Sequence, residues 1–379
     1  MNKNINYQCN KNTGYQKKGQ QIRIFEYMKF RQSISVLLFL AFGCNLPGNN
    51  KGNSNMEPLK QESEKTISSI KTACILSEIS YCSDPENKLS QYLPGWKIVW
   101  RPAAVGGNYA FVATNGTDYA ISIRGSLLEF SDAAFNNWLY NDLNVADQKD
   151  WNYSDSGSHA RISEGSYLGW ENMNKLTDIN DGKKLWDFLQ TIPADAPVLI
   201  TGHSLGGNLA TVYASYLWWQ WKQNEHTRAN MNVITFAAPA SGNEGFAESF
   251  DKAFPHSLRI ENSNDMVPKF PVADKIDQLG NLFSPDPSAA SISVGYKNLT
   301  TPLSNVFSLM KGAMNLLRIT NGISPYVQTN GDGNMITIPL SGKNNSNDAA
   351  AWFAEAGYQH GMAQYAKAFD APVIDCSNQ

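Results

Sequence analysis

The chain has 379 residues, a hydrophobic content of 42% and a formal net charge of −3, which suit a globular protein with a sizeable core in one domain or two. Its first 43 residues hold seven Lys and Arg residues and one Glu, so the remaining 24 basic and 33 acidic residues leave the body of the chain acidic. An acidic body without a basic stripe argues against nucleic acid as a partner.

The N-terminal region predicts export. Residues 28–31 are Met-Lys-Phe-Arg, a basic start, and residues 34–42 form an apolar stretch that is too short for a stable membrane span. The polar residues before Met28 would make an unusually long start for a signal peptide. Translation that starts at Met28 is therefore an alternative to a start at Met1.

The export stretch ends in Leu-Ala-Phe-Gly-Cys at residues 40–44, which is similar to the lipobox of bacterial lipoproteins. This pattern predicts a lipid on Cys44 and a membrane anchor at the bacterial cell envelope; cleavage without lipidation, which would give a secreted protein, stays open. We assign residues 1–43 to an N-terminal extension and export signal, residues 44–62 to a flexible tether, and residues 63–379 to a single domain.

The elements of this domain follow from the spacing of its apolar residues. A helical pattern over residues 64–79 precedes three strand-like runs, and Asn115-Gly116 between the last two is a strong hairpin signal. Farther on, strand-like runs alternate with helical patterns, which predicts a mainly parallel sheet with helices on both faces after an antiparallel N-terminal meander. The predicted strands are 97–100, 109–113, 119–123, 197–200, 232–236 and 258–260, and the later helices are 164–173, 183–191 and 205–221.

Residues 200–208 read Ile-Thr-Gly-His-Ser-Leu-Gly-Gly-Asn and contain the Gly-x-Ser-x-Gly pattern of a nucleophile elbow. At such an elbow a strand ends, a Ser occupies a strained turn and a helix begins at once, so the Ser204 hydroxyl is presented to a substrate. A side chain at Gly202 or Gly206 would collide with neighbouring backbone. Backbone N–H groups at the helix start, that of Leu205 among them, face any negative charge that forms beside the Ser.

A Ser nucleophile needs a base to take its proton, and at this kind of elbow the acid and then the base follow the Ser in the chain. Among the five His residues (159, 203, 226, 256 and 360), His360 comes late, in residues 358–362, which we expect to form a loop entering a helix. Asp265 follows a predicted strand, at the sheet edge where such sites gather, and it is preferred as the acid over Asp251, Asp274 and Asp277.

The strand at residues 119–123 leads directly into Arg-Gly-Ser at residues 124–126. A second donor for an oxyanion is expected on a loop after an early strand, so the backbone N–H of Ser126 is predicted to act together with that of Leu205. The aromatic-rich segment that follows, residues 127–143, is predicted to form a mobile lid.

An exported protein can form disulfides, and Cys74, Cys82 and Cys376 remain when Cys9 and Cys44 are set aside. Three pairings are compatible with the sequence: Cys74 with Cys82, Cys74 with Cys376, or Cys82 with Cys376. The sequence leaves these pairings open, and one thiol stays free in each case.

Together these motifs resemble the class 3 lipase family, the branch of the α/β-hydrolases related to fungal triacylglycerol lipases. The resemblance covers about residues 95–365 and rests on segments in family order, namely 123–126, 137–139, 202–207, 236–243, 264–268 and His360. It implies an α/β-hydrolase fold with Ser204 as nucleophile, Asp265 as acid, His360 as base, and Leu205 with Ser126 as the oxyanion hole.

The gap from Asp265 to His360 is longer than is usual in the family, and we expect an insertion at about residues 275–345. Within it, residues 304–319 form a helical pattern. Its apolar face contains Val306, Leu309, Met310, Ala313, Met314 and Leu317. We hypothesise that this helix caps the site and shapes acyl-chain access; a helix packed on the sheet is the alternative.

The resemblance implies a carboxylic ester hydrolase that works through an acyl-enzyme without metal or cofactor, and a lipase acting on acylglycerol-type esters is the first expectation. A phospholipase A1, a feruloyl-type esterase, and a thioesterase or peptidase would use the same three residues. A surface-anchored binding lipoprotein that has lost its activity would lack a member of the triad, and none is missing here. The oligomeric state stays open.

Overall fold

The computed structural model describes residues 56–127, 144–155, 157–224, 230–296, 299–331 and 333–376. The predicted export signal, Cys44, residues 128–143 of the predicted lid, and with them the family motif at 137–139, lie outside the described residues. Within the described ranges, no helix combines the length and the apolar character that crossing a membrane requires.

The strands and helices of the described residues are numbered in chain order. The strands are β1 Lys97–Trp100, β2 Ala110–Thr114, β3 Tyr119–Ile123, β4 Gln148–Asp150, β5 Arg161–Ser163, β6 Val198–His203, β7 Met231–Phe236, β8 Gly242–Asn243, β9 Leu258–Asn262, β10 Ser293–Tyr296, β11 Leu299–Pro302, β12 Tyr326–Val327 and β13 Asn334–Ile336. The helices are α1 Met56–Ile79, α2 Pro85–Tyr92, α3 Glu164–Met173, α4 Leu185–Leu189, α5 Leu205–Gln223, α6 Glu244–Ala253, α7 Ala273–Ile276, α8 Leu303–Thr320, α9 Ala349–His360 and α10 Met362–Ala368. The bounds of β1, β3 and α3 match the predicted ones, and the other predicted strands and later helices differ by one to three residues at an end.

A central sheet has the strand order β1-β2-β3-β6-β7-β9-β13. The first three strands are antiparallel neighbours, whereas β3, β6, β7, β9 and β13 run parallel, so the predicted meander and mainly parallel sheet are confirmed. The carboxyl ends of parallel strands meet at one edge of a sheet. The loops that carry Ser126, Ser204 and Asp265 therefore leave the sheet on the same side.

Apolar clusters lie on both faces of this sheet. Successive strand residues point to opposite faces, and in β7 the side chain of Val233 joins one cluster while that of Ile234 joins another. Leu209 of α5 packs in the first cluster, and Cys74 of α1 and Tyr365 of α10 pack in the second. Burying one side chain of Leu or Ile size stabilises the fold by roughly 1.5–3 kcal/mol. The well-packed sheet therefore holds the loops at its edge in fixed positions.

Helix α1 begins at Met56, earlier than the predicted domain boundary at residue 63. Residues 56–62, assigned to the tether, are therefore helical, and that part of the prediction is wrong. The reason is local: Met, Glu, Leu, Lys and Gln favour helices, and the Pro among them lies in the first turn, where its missing N–H costs nothing.

A disulfide joins Cys82, just after α1, to Cys376 near the end of the described chain. Cys74 is a free thiol buried in α1. Of the pairings that the sequence left open, the structure thus has Cys82–Cys376, which closes a loop with a sequence separation of 294.

The predicted helix of the insertion is present as α8, one residue longer at each end than expected. On this helix Leu309 of the apolar face is 52% exposed, whereas Phe307, outside the predicted apolar face, is buried. The side chains of α8 pack in an apolar cluster with Phe270 and Trp352, apart from the clusters that hold the residues of the central sheet. The alternative of a helix packed on that sheet is therefore wrong.

Candidate active site

Ser204 occupies the turn between β6 and α5 with φ +59° and ψ −130°, a strained conformation for a residue with a side chain. A Cβ atom at Gly202 would overlap the carbonyl of Gly206, and one at Gly206 would overlap the carbonyl of Ile123. The elbow geometry and the need for both glycines are as predicted.

Three side chains from distant parts of the chain meet at this turn. Nε2 of His360 lies 2.9 Å from Oγ of Ser204, and Nδ1 of His360 lies 2.9 Å from Oδ2 of Asp265. Their exposed fractions are 2% for Ser204, 4% for His360 and 0% for Asp265. The imidazole is thus held between a hydroxyl and a carboxylate, which is the arrangement that nucleophilic catalysis by Ser requires.

The hydrogen bonds assign the tautomer of His360. A carboxylate can only accept, so the proton of the neutral imidazole lies on Nδ1 and is donated to Asp265. Nε2 is then an acceptor, and the Ser204 hydroxyl donates to it across 2.9 Å. The ring is therefore in the form that can take the Ser proton.

Asp265 is held by two further donors. Its Oδ1 accepts the backbone N–H of Val267 at 2.9 Å, and its Oδ2 accepts the hydroxyl of Tyr365 at 2.8 Å. Burial, and next the Asp265 charge, raise the pKa of Tyr365 well above its usual value, so its hydroxyl stays a donor. Burial also lowers the pKa of nearby Lys269, a shift that the charge of Asp265 opposes.

His360 is the last residue of α9, and Gly361 separates it from α10. The prediction of a loop entering a helix at residues 358–362 is therefore wrong. The segment Ala-Ala-Ala-Trp-Phe-Ala-Glu-Ala from residue 349 favours a helix, and the side chain of Asp348 caps its start by accepting the N–H of Ala351 at 2.8 Å. The helix end presents the imidazole to the elbow.

The two predicted oxyanion residues lie on one cleft. Ser126 and Leu205 both line a cavity of about 380 Å³, together with Arg124, Leu127, Leu168 and Asn172. Leu205 is the first residue of α5, and the first N–H groups of a helix have no partner within it. The structure brings the two residues together at this cleft, and their role in binding an oxyanion stays a prediction.

The other candidates lie elsewhere. Asp251 accepts the backbone N–H of Asn330, and Asp277 pairs with Lys311, so neither carboxylate is the partner of His360. Among the residues that the structure describes, no group of three or more His, Cys, Asp or Glu side chains could hold a metal ion.

Three side chains of this site have no role in the sequence prediction: Tyr81, His203 and Tyr365. Tyr365 follows His360 by five residues, and an aromatic residue with a hydroxyl in the helix just after a predicted base is a usable signal. His203 lies inside the elbow, and its Nε2 lies 2.8 Å from the carbonyl oxygen of His360. Nothing near Tyr81 in the sequence indicates its contact with His203.

Comparisons with known proteins identify the family. The sequence model described as lipase (class 3) matches residues 121–275, from β3 into α7. Over that segment, the chain is similar to the class 3 lipase family. The resemblance inferred from the motifs is therefore confirmed, and the family segment includes Ser204, Leu205, Ser126 and Asp265.

A solved structure shows the same fold over most of the chain. The crystal structure of M37 lipase has a TM-score of 0.60 and 22% sequence identity with this chain, and the match covers 79% of this chain and 91% of that one. At this identity the similarity speaks for the fold alone, and it confirms the predicted α/β-hydrolase fold.

Curated relatives match a shorter segment. The Lipase ZK262.3 of Caenorhabditis elegans is 32% identical over 94 residues, which are 24% of this chain and 26% of that protein. The Phospholipase A1-II 1 of Oryza sativa subsp. indica is 35% identical over 95 residues, which are 24% of this chain and 23% of that protein. The chain thus spans about a quarter of the length of these relatives.

Proposed function

We propose that this class 3 lipase family member hydrolyses carboxylic esters, with Ser204 as nucleophile, His360 as base and Asp265 as acid. The observation that carries the proposal is the unbroken hydrogen-bond path from the Ser204 hydroxyl through the His360 imidazole to the Asp265 carboxylate. A buried path of this kind is weak evidence for a purely structural role, because well-packed apolar side chains of similar volume often stabilise a fold as well or better.

In the proposed reaction, Nε2 of His360 takes the proton of Ser204 as its Oγ attacks the ester carbonyl. The backbone N–H groups of Leu205 and Ser126 bind the oxyanion, and losing one such donor typically costs about 10²–10³-fold in kcat. Asp265 stabilises the imidazolium without taking its proton. The imidazolium then protonates the leaving alcohol, and a water molecule, activated in the same way, cleaves the acyl-enzyme.

We propose a lipid ester of the acylglycerol type as the substrate. The family, the name of the lipase relative and the apolar side chains at the cleft (Leu127 and Leu168, 72% and 48% exposed) support a substrate with an acyl chain. The phospholipase A1 relative supports phospholipid esters as the second candidate, and a feruloyl-type ester is the third. The hypothesis that α8 shapes acyl-chain access is part of this proposal.

We also propose export and lipid anchoring through Cys44, on the strength of residues 28–44. Mass spectrometry of the protein purified from membranes would find a diacylglyceryl mass on Cys44. A Cys44→Ser variant should then be released from membranes with its activity intact. A mature protein that begins elsewhere or carries no lipid would overturn this part of the proposal.

One assay set tests the activity. Acylglycerols and p-nitrophenyl esters of increasing chain length, phosphatidylcholine vesicles and a feruloyl ester are offered to the wild type and to Ser204→Ala. We expect acylglycerol hydrolysis that falls by more than about 10³-fold in the variant. Preferred cleavage of phosphatidylcholine would support the phospholipase A1 alternative, and a folded wild type that hydrolyses no ester would support a binding lipoprotein.

A further inference from the structure

The half-buried side chain of Tyr81 and the buried side chain of His203, which the proposed mechanism does not use, connect the proposed base to the proposed oxyanion loop. Tyr81 follows α1, and His203 is the last residue of β6, directly before Ser204. The Tyr81 hydroxyl lies 3.0 Å from Nδ1 of His203, and Nε2 of His203 lies 2.8 Å from the carbonyl oxygen of His360. A chain of hydrogen bonds therefore runs from Tyr81 to the backbone of the proposed base.

The direction of each hydrogen bond follows from the chemistry of the end groups. The carbonyl of His360 can only accept, so the proton of His203 lies on Nε2. Nδ1 of His203 is then an acceptor at 3.0 Å from the Tyr81 hydroxyl, and the backbone carbonyl of His203 is a second acceptor at 3.3 Å; we assign the hydroxyl proton to the nearer Nδ1. Burial, and next the neighbouring His360, lower the pKa of His203 well below its usual value, which keeps its ring neutral.

The oxygen of Tyr81 has a second neighbour in the loop after β3. The backbone N–H of Gly125 hydrogen-bonds to it, and a Cβ atom at position 125 would overlap the hydroxyl. Gly125 directly precedes Ser126, the proposed second oxyanion residue. The hydroxyl of Tyr81 thus accepts from the oxyanion loop and donates toward the base.

The contact with His360 lies at a helix end. The last carbonyl groups of a helix have no partner within it, and His360 is the last residue of α9. His203 supplies a donor at this point, and its ring lies 4.6 Å from the ring of His360, centroid to centroid. Losing that donor would free the segment that aims Nε2 of His360 at Ser204.

We infer that Tyr81 and His203 are positioning residues, which fix the His360 base against Ser204 and tie its position to the loop of Ser126. The inference rests on the proposed ester hydrolysis. Tyr81 adds to the His360 carbonyl in favouring the Nε2–H tautomer of His203, and that tautomer holds the end of α9. Displacing a reacting group by about 1 Å can lower the rate on the order of 10²-fold. Loss of the Tyr81–His203 hydrogen bond, by displacing the His360 imidazole, should therefore lower kcat more than it changes KM.

A variant cycle tests the link. We expect Tyr81→Phe to lower kcat about tenfold with KM within about twofold, and His203→Ala to lower it further. Because both act on one path, the double variant should be no slower than His203→Ala alone. A merely structural role would give additive losses, and additivity would overturn the inference.

Two matched variants sharpen the cycle. In His203→Gln, the side-chain amide N–H can donate to the His360 carbonyl, and an amide has no second tautomer for Tyr81 to influence. Adding Tyr81→Phe to His203→Gln should therefore leave kcat almost unchanged. Tyr216→Phe is the control, since it also removes a hydroxyl that accepts a hydrogen bond, from Gln220 at 2.9 Å, at the far end of α5. Wild-type kcat in Tyr81→Phe, with a folded protein by thermal unfolding, would overturn the inference.

A readout besides activity separates this inference from the proposed function. Nitrogen-15 NMR of His-labelled protein, with the His203 signal assigned by its loss in His203→Gln, should show the Nε2–H tautomer in the wild type and a mixture in Tyr81→Phe. A protonated or Nδ1–H ring in the wild type would overturn the inference even if esters are hydrolysed. If no ester is hydrolysed but the tautomer changes as expected, the proposed function fails and the hydrogen-bond chain stands.

Discussion

Asp265 and His360 are 95 residues apart in the chain, yet Oδ2 of Asp265 lies 2.9 Å from Nδ1 of His360. Asp265 lies in the loop that follows β9, and His360 lies at the end of α9. The carboxylate is buried, and it also accepts hydrogen bonds from the backbone N–H of Val267 and the hydroxyl of Tyr365. The imidazole therefore has one orientation and one tautomer in which Nε2 faces Ser204.

The Asp265→Asn variant should retain the fold and lose most of the activity. An amide at this position can donate to Nδ1 and so favour the tautomer that cannot accept the Ser204 proton; in a Ser-His-Asp triad such a change costs about 10⁴-fold in kcat. Steady-state kinetics on an acylglycerol would measure the loss. Asp251→Asn, which alters a carboxylate that accepts the N–H of Asn330, is the control and should stay near wild type.

The Tyr365→Phe variant should lose both activity and stability. It removes the donor to Asp265 at 2.8 Å and also the acceptor of the Asn262 N–H at 3.0 Å. A buried donor left without a partner costs about 1–3 kcal/mol, so urea unfolding should show a loss of that size, with kcat about tenfold lower. Tyr326→Phe, which removes a buried hydroxyl that donates to Val145, should lose stability alone. Equal kcat in both variants would contradict the role of Tyr365.

Much of the fold could be predicted because its signals are local. The strand, turn and helix around Ser204 depend on neighbouring residues, and the two glycines exclude side chains from an elbow that the sequence itself specifies. Asp265 was found because it follows a strand at the correct edge of a parallel sheet.

What could not be predicted depends on tertiary contacts. No periodicity reports that Tyr81 reaches His203, which lies 122 positions later, or that Cys82 pairs with Cys376. The strand β13, three residues long, carries too weak a pattern to be seen as the edge of the central sheet. The buried face of α8 depends on the elements that pack against it, which is why Leu309 of its apolar face is exposed and Phe307 is buried.

Glu78 should make the stability depend on pH. It is 6% exposed, its Oε2 has no hydrogen-bond partner among the described residues, and burial raises its pKa from 4.5 to about 7. The folded protein thus holds the proton more tightly than the unfolded chain does. This contribution to stability is complete below about pH 4.5 and is lost as the pH rises through about 7.

We therefore expect Glu78→Gln to match the wild type near pH 4.5 and to exceed its free energy of unfolding at pH 8 by about 1–3 kcal/mol. Urea unfolding at several pH values would measure the difference. Glu64→Gln, at an exposed position of the same helix, is the control and should show no such trend. A difference between Glu78→Gln and wild type that is constant with pH would contradict the prediction.

The Cys82–Cys376 disulfide should stabilise the folded protein. It ties the segment after α1 to the C-terminal segment and closes a loop with a sequence separation of 294. Replacing both Cys residues by Ser should lower the free energy of unfolding by about 2–5 kcal/mol. Cys74→Ala, which removes a buried free thiol and no cross-link, should cost less. The prediction fails if the double variant unfolds at the same urea concentration as the wild type.

Covalent trapping of the nucleophile is the most direct measurement of the proposed chemistry. The protein is incubated with an alkyl fluorophosphonate or a slowly hydrolysed p-nitrophenyl ester, and the adduct is located by peptide mass spectrometry. We expect one adduct per chain, on Ser204, which is absent in Ser204→Ala and at least about 10²-fold slower to form in His360→Ala. Ester hydrolysis that persists in Ser204→Ala, or an adduct on another residue, would contradict the assignment of Ser204 and His360.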